Sequence, residues 1–187
     1  MGMLVIALLL AVFGSLEALR YERGLLLHEP WRLATAHLTH LGLAHLAMNG
    51  VGLLLIWRLL GDAMPVSRWM LTIVLSAAGV NLGLWLFSPD ITWYVGLSGV
   101  LHGMWAAAAW SRVRTQPGSG YALLSLLVLK LVVEQSSSGI GATASLMGEE
   151  VVIDAHLYGA LAGLIAGLFP SKGKGPGWPG PPGFTGR

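Results

Sequence analysis

Four side chains offer the means for chemistry in this 187-residue chain: Ser98, His156, His45 and Asn49. A serine hydroxyl becomes a nucleophile only with a base within hydrogen-bond reach, and His156 is the candidate base on its segment. Ser98 stands in the run YVGLSGVLHG, residues 94–103, between Gly96 and Gly99, at the head of an apolar segment that reaches Trp110. A helix start presents unpaired N–H groups and the positive end of the helix dipole. An oxyanion forming beside Ser98 could use those donors. His45 and Asn49 are four residues apart and share a helix face; both can donate to the same oxyanion. Asp154 lies two residues from His156 and points to another face, so the chemistry read here is that of a Ser/His dyad. The chain has no cysteine, which excludes thiolate nucleophiles, thiolate metal sites and disulfides. No cofactor is called for.

The elements that must position these residues are membrane helices. Of the residues, 55% are hydrophobic and 11% charged, against roughly 25% charged in a soluble domain. A formal charge of +2 is too small to suggest nucleic acid as a partner. Six apolar stretches follow one another, at about Gly2–Leu19, Leu38–Trp57, Leu71–Phe87, Leu97–Trp110, Tyr121–Val133 and Val151–Phe169. Gly and Pro separate several of them, at Gly61 to Pro65, Ser88-Pro89 and Pro117 to Gly120. We read an all-α membrane domain of six spans over residues 1–170. The fourth and fifth stretches are short for a crossing. The first lacks a basic residue ahead of it and is read as a retained span in preference to a signal peptide. Residues 171–187, rich in Gly and Pro, read as a flexible tail.

Basic residues orient the bundle. With both termini cytoplasmic, Arg58, Arg68, Arg112, Arg114, Lys172, Lys174 and Arg187 lie inside, and Arg20, Arg23 and Arg32 outside. Ser98 precedes Arg112 by 14 residues, which at 1.5 Å per residue places it roughly 21 Å above the inner boundary. His156 precedes Pro170 by the same count, and His45 precedes Arg58 by 13. All three come to one layer, about 10 Å below the outer surface of a core about 30 Å thick. Gly99 with Gly103, and Gly159 with Gly163, form G-x-x-x-G faces on the fourth and sixth stretches, a spacing that lets membrane helices approach closely. Serine and imidazole could meet there.

Other polar residues have plainer readings. Trp31-Arg32 reads as an interfacial anchor. Lys130 and Glu134 are four apart and can pair, either lining a polar route or stapling two helices, the structural reading being preferred. His37 and His40 are three apart and could share a helical face, and imidazole suits zinc.

Three matches carry a resemblance to the rhomboid intramembrane serine proteases: WRLATAHLTHLGLAHLAMNG at 31–50 with His45 and Asn49, GLSG at 96–99, and AHLYGALAG at 155–163. They arrive in that family's order. The resemblance implies a six-helix rhomboid bundle with Ser98 as nucleophile, His156 as base, His45 and Asn49 as oxyanion donors, and His40 as a loop-stabilising residue. Many rhomboids carry a tyrosine packed on the catalytic histidine four residues after the serine; here His102 stands at that position, and its role is left open. The short chain and YVGLSGVLHG look most like the rhombosortases. That likeness implies a bacterial inner-membrane enzyme, embedded in lipid, that cleaves single-span proteins near a C-terminal Gly-Gly and transmembrane segment. Two other classes remain: a histidine-site metal transporter, and an inactive rhomboid-like binding protein, although both Ser98 and His156 are present.

Overall fold

A computed structural model describes residues 2–136 and 152–169. The tail at 171–187, with Lys172, Lys174 and Arg187 of the orientation argument, lies outside the described residues.

The chain is mostly helical. Helix α1 (Gly2–Phe13) is followed by the short α2 (Leu16–Leu19), strand β1 (Tyr21–Glu22) and α3 (Arg32–Thr35). The long helices α4 (Leu43–Leu60) and α5 (Val66–Phe87) come next, then strand β2 (Trp93–Tyr94), α6 (Ser98–Val113), α7 (Pro117–Ser136) and α8 (Ile153–Leu168). Helices α4, α5 and α7 are long and apolar enough to cross a membrane. Helices α1, α6 and α8 are shorter, at 12, 16 and 16 residues.

Element bounds depart from the sequence reading in several places: α4 begins at Leu43 instead of Leu38 and α5 at Val66 instead of Leu71, and two further differences have a visible local cause. The first apolar stretch breaks at Gly14: α1 ends at Phe13, and Ser15 starts a separate helix by accepting from the Ala18 amide. The fifth stretch is longer than read, because Pro117 to Gly120 form the first turn of α7 instead of a break. Proline is tolerated there, since its missing N–H would have no intrahelical partner.

The 30s segment also corrects the sequence reading. Trp31 is exposed, but Arg32 is only 4% exposed and is no interfacial anchor. Its guanidinium pairs with Glu29 at 2.6 Å and donates to the Glu17 and Arg20 carbonyls at 2.6 and 2.9 Å. A loop folding back on itself leaves carbonyls that only a multidentate donor can satisfy together. Arg23 does the same for the end of α5, donating to the Trp85 and Ser88 carbonyls at 3.0 and 2.8 Å, where the last turn of a helix has acceptors to spare. Strands β1 and β2 pair antiparallel, Tyr21 opposite Tyr94, and so tie this first loop to the segment that leads into Ser98.

The bundle core is the crossing of α6, α5 and α8. Ala106 to Ala109 of α6 are at most 2% exposed. A Cβ on Gly83 would lie 2.1 Å from the Tyr158 ring, and one on Gly163 would lie 2.1 Å from the Gly103 carbonyl oxygen. Between apolar helices in lipid, such backbone proximity supplies van der Waals contact where no hydrophobic driving force exists. Arg68 and Arg114 donate to the Ala166 and Leu168 carbonyls at the end of α8, and Arg112 pairs with Asp62. Arg20, Arg23 and Arg32 lie in the first loop, which packs at the opposite end of the bundle beside the last turn of α5 and the start of α8.

Candidate active site

Ser98 is the first residue of α6. The earliest amide-to-carbonyl bond there runs from Leu101 to Leu97, so the Ser98 amide is not taken up within the helix and stands beside its own hydroxyl. The chain reaches this point through Gly96, whose φ of +124° belongs to the left-handed region that favours glycine. A Cβ there would also lie 2.9 Å from His45 Cε1 and Nε2 and 3.8 Å from Ser98 Oγ. Gly96 therefore keeps open the space between the serine and His45. Its carbonyl accepts from the Tyr94 hydroxyl at 2.5 Å and its amide donates to Ala36 at 2.9 Å, which fixes the approach to Ser98 from both sides.

One turn of close packing brings the base to the nucleophile. A Cβ on Gly159 would lie 2.0 Å from the Gly99 carbonyl oxygen, and one on Gly99 would lie 2.8 Å from the Ala155 carbonyl oxygen. With α6 and α8 in backbone contact beside both residues, Ser98 Oγ lies 2.9 Å from His156 Nε2. The serine is half-buried and the histidine is 3% exposed. His102, one turn along α6, donates from Nδ1 to the Ser98 carbonyl at 2.7 Å. Its ring stacks on His156 with centroids 4.2 Å apart and planes 13° from parallel.

His156 does not end at the serine. Its Nδ1 donates to Glu134 Oε2 at 3.0 Å, and the other carboxylate oxygen pairs with Lys130. The sequence reading missed this. It foresaw the Lys130–Glu134 pair, but an i, i+4 pair uses one carboxylate oxygen and says nothing of the second. The available signal was cost: a carboxylate in an apolar segment calls for more donors than one ammonium supplies. Asp154 stands apart as read, accepting from Ser88 at 2.5 Å.

His45 and Asn49 are 8% and 5% exposed and line the same cavity as Ser98, His102 and His156, a space of about 290 Å³ among α4, α6 and α7. Neither His45 Nδ1 nor Asn49 Nδ2 has a protein partner among the described residues. Buried donors without partners are costly, and both residues line a space that a reacting group can enter. His40 packs edge-on against His45, centroids 5.0 Å apart, so a ring contact ties it to the site. His37 lies against Tyr94 instead, edge-on at 5.7 Å.

The donors present bear on metal binding. No third His, Asp or Glu joins His37 and His40 in a compact group among the described residues. His102, Glu134 and His156 do present donor atoms within 4.8 Å of one another. Yet both nitrogens of His156, Nδ1 of His102 and both oxygens of Glu134 already have partners. A cation would have to displace those bonds beside the Lys130 ammonium.

A family model described as the Rhomboid domain matches residues 27–172. The chain belongs to the rhomboid family. Among curated proteins, none matches the chain. The rhomboid match spans most of the chain and contains every residue of the site, from His40 to His156. Rhomboids are typically intramembrane serine proteases. That activity needs a serine, a base and oxyanion donors around a space for a peptide.

Proposed function

We propose that the protein is an intramembrane serine endopeptidase of the rhombosortase kind, in which Ser98 is the nucleophile and His156 the base. The observation that carries this reading is the 2.9 Å contact between Ser98 Oγ and His156 Nε2 on a cavity shared with His45 and Asn49.

The reaction follows from that geometry. Ser98 Oγ bonds to the scissile carbonyl carbon while its proton passes to His156 Nε2. The carbonyl oxygen becomes an oxyanion, held by the amide at Ser98 and by donors from His45 and Asn49. The tetrahedral species collapses as the C–N bond breaks and His156 gives its proton to the leaving amine. Water then enters, loses a proton to His156 and bonds to the acyl carbon; the C–Oγ bond breaks as His156 returns that proton to Ser98 Oγ, freeing the acid product and restoring the site. The His102 ring, stacked on His156, keeps the imidazole plane fixed through each proton transfer.

The domain is read as six spans with both termini in the cytoplasm of a bacterial cell, embedded in the inner membrane. Arg58, Arg68, Arg112 and Arg114 then mark the inner side, and the first loop, with Arg20, Arg23 and Arg32, the outer. Ser98 opens on the outer half. An intact substrate helix cannot be cut there, because its carbonyls are already hydrogen-bonded and shielded, so the segment must unwind. Glycine costs a helix about 1 kcal/mol relative to alanine. A Gly-Gly ahead of a C-terminal span therefore both loosens the segment and lets its backbone pass the glycine-lined faces around Ser98. The substrate class is a membrane-anchored protein with an outward ectodomain, released by a cut near that Gly-Gly.

The test is a panel of single-span substrates incubated with purified protein, with products mapped by mass spectrometry. Cleavage near the Gly-Gly, lost when it is replaced by Leu-Leu, is expected. Equal cleavage at the same bond in the Leu-Leu substrate would remove the rhombosortase-like specificity.

A further inference from the structure

Glu134 has no part in a two-residue mechanism, yet it is built into the site. It projects from α7, 22 residues before His156, and its side chain is 7% exposed. If it served only to staple α7, its pairing with Lys130 on the same helix would add nothing between helices, and any donor on α8 would do. The donor it meets is Nδ1 of the one imidazole whose other nitrogen faces Ser98.

That choice of atom has a chemical consequence. A neutral imidazole carries one proton, on either nitrogen. A carboxylate accepting at Nδ1 places the proton there and leaves the Nε2 lone pair directed at the serine. The ring is then held by a hydrogen bond at each nitrogen and by the stacked face of His102. We propose that Glu134 is a positioning residue that acts through His156, so that the site works as a Ser98–His156–Glu134 triad with Lys130 anchoring the acid. This rests on the serine-protease reading above.

The proton balance is simple. As Oγ bonds to the substrate carbonyl carbon, the Ser98 proton moves to Nε2, and the resulting imidazolium keeps its Nδ1 proton, donated to Glu134. The carboxylate takes up no proton. Its negative charge stabilises the imidazolium in the transition state more than the neutral ring in the ground state, which is the difference that speeds a reaction. Lys130, at 34% side-chain exposure and on the cavity wall, holds the second oxygen and so sets the carboxylate's orientation.

The experiment compares Glu134→Gln, Glu134→Asp, Lys130→Met and Ser98→Ala with the native protein on one cleaved single-span substrate, measuring kcat, KM and thermal stability. Glu134→Gln is expected to lower kcat by about 100- to 10,000-fold with KM changed less than about threefold. Glu134→Asp should recover about tenfold or more of that loss, and Lys130→Met should lose less than Glu134→Gln does. In Ser98→Ala labelled with ¹⁵N-histidine, a strongly hydrogen-bonded Nδ1 proton resonance should be present, and Glu134→Gln in that background should abolish it. A Glu134→Gln protein with kcat within about threefold of native overturns the triad, as does a lower melting temperature with unchanged turnover of the folded fraction. Should Glu134→Gln not fold, Glu134→Asp carries the test: kcat within about threefold of native in a protein whose Nδ1 proton resonance is lost overturns the triad equally. Cleavage surviving Ser98→Ala would defeat the protease reading itself; an inactive Ser98→Ala beside a fully active Glu134→Gln defeats only the triad.

Discussion

Gly159 of α8 lies so close to Gly99 of α6 that an added Cβ would sit 2.0 Å from the Gly99 carbonyl oxygen. The obstacle is backbone, not the mobile end of a side chain, so the helices themselves would have to part. Ser98 is adjacent to Gly99, and His156 is three residues before Gly159. A shift of about 1 Å between reacting groups can cost about 100-fold in rate. Gly159→Ala is therefore expected to lower cleavage by about that factor and to lower the melting temperature, overpacking costing about 1–3 kcal/mol. Leu161→Ala, at a position 52% exposed on the same helix, should leave turnover near native. Native turnover and stability in Gly159→Ala would contradict the close crossing.

Asn49 offers a second test. Its Nδ2 is buried without a protein partner and the residue lines the cavity at Ser98, which suits a donor whose acceptor appears only during reaction. Asn49→Ala should reduce kcat by about 10- to 1000-fold with little change in KM, the pattern for a group used in the transition state alone. Backbone donation at Ser98 accounts for the residual activity. A variant with native kcat would remove Asn49 from the oxyanion site.

Acid should loosen the first loop. Burial pushes the His37 imidazole down to about 4, below its value in the unfolded chain, so the unfolded state takes up a proton first as pH falls. Stability is then complete above about pH 6.5 and declines as pH falls towards about 4. The melting temperature should drop between about pH 7.5 and pH 5, and His37→Phe, which retains a ring against Tyr94, should make that slope shallower. An unchanged slope would show that His37 does not set it.

The site was legible in part because its members obey spacing rules. Ser98, His156 and His45 could be brought to one layer by counting residues from charged anchors at 1.5 Å each, and the paired glycines marked the helices that had to touch. His102 was seen as a departure at the tyrosine position, and its stacked ring now has a geometry. Glu134 was not legible as a partner of His156, because the two sit on different helices and no local period relates them. Arg32 was misread for a similar reason: its acceptors are carbonyls of Glu17 and Arg20, and only the fold of the loop gathers them. The length of α7 was missed because Pro117 and Gly118 look like a break, whereas the first turn of a helix accommodates both.

The most direct measurement is cleavage of a single-span substrate by the native protein, Ser98→Ala and His156→Ala, each with and without EDTA. The expected result is cleavage by the native protein that persists in chelator and disappears in both variants, with Ser98→Ala melting near native and His156→Ala melting lower because the buried Glu134 carboxylate loses a donor. Cleavage that is abolished by EDTA and retained in Ser98→Ala would contradict the serine mechanism and favour a metal-dependent one.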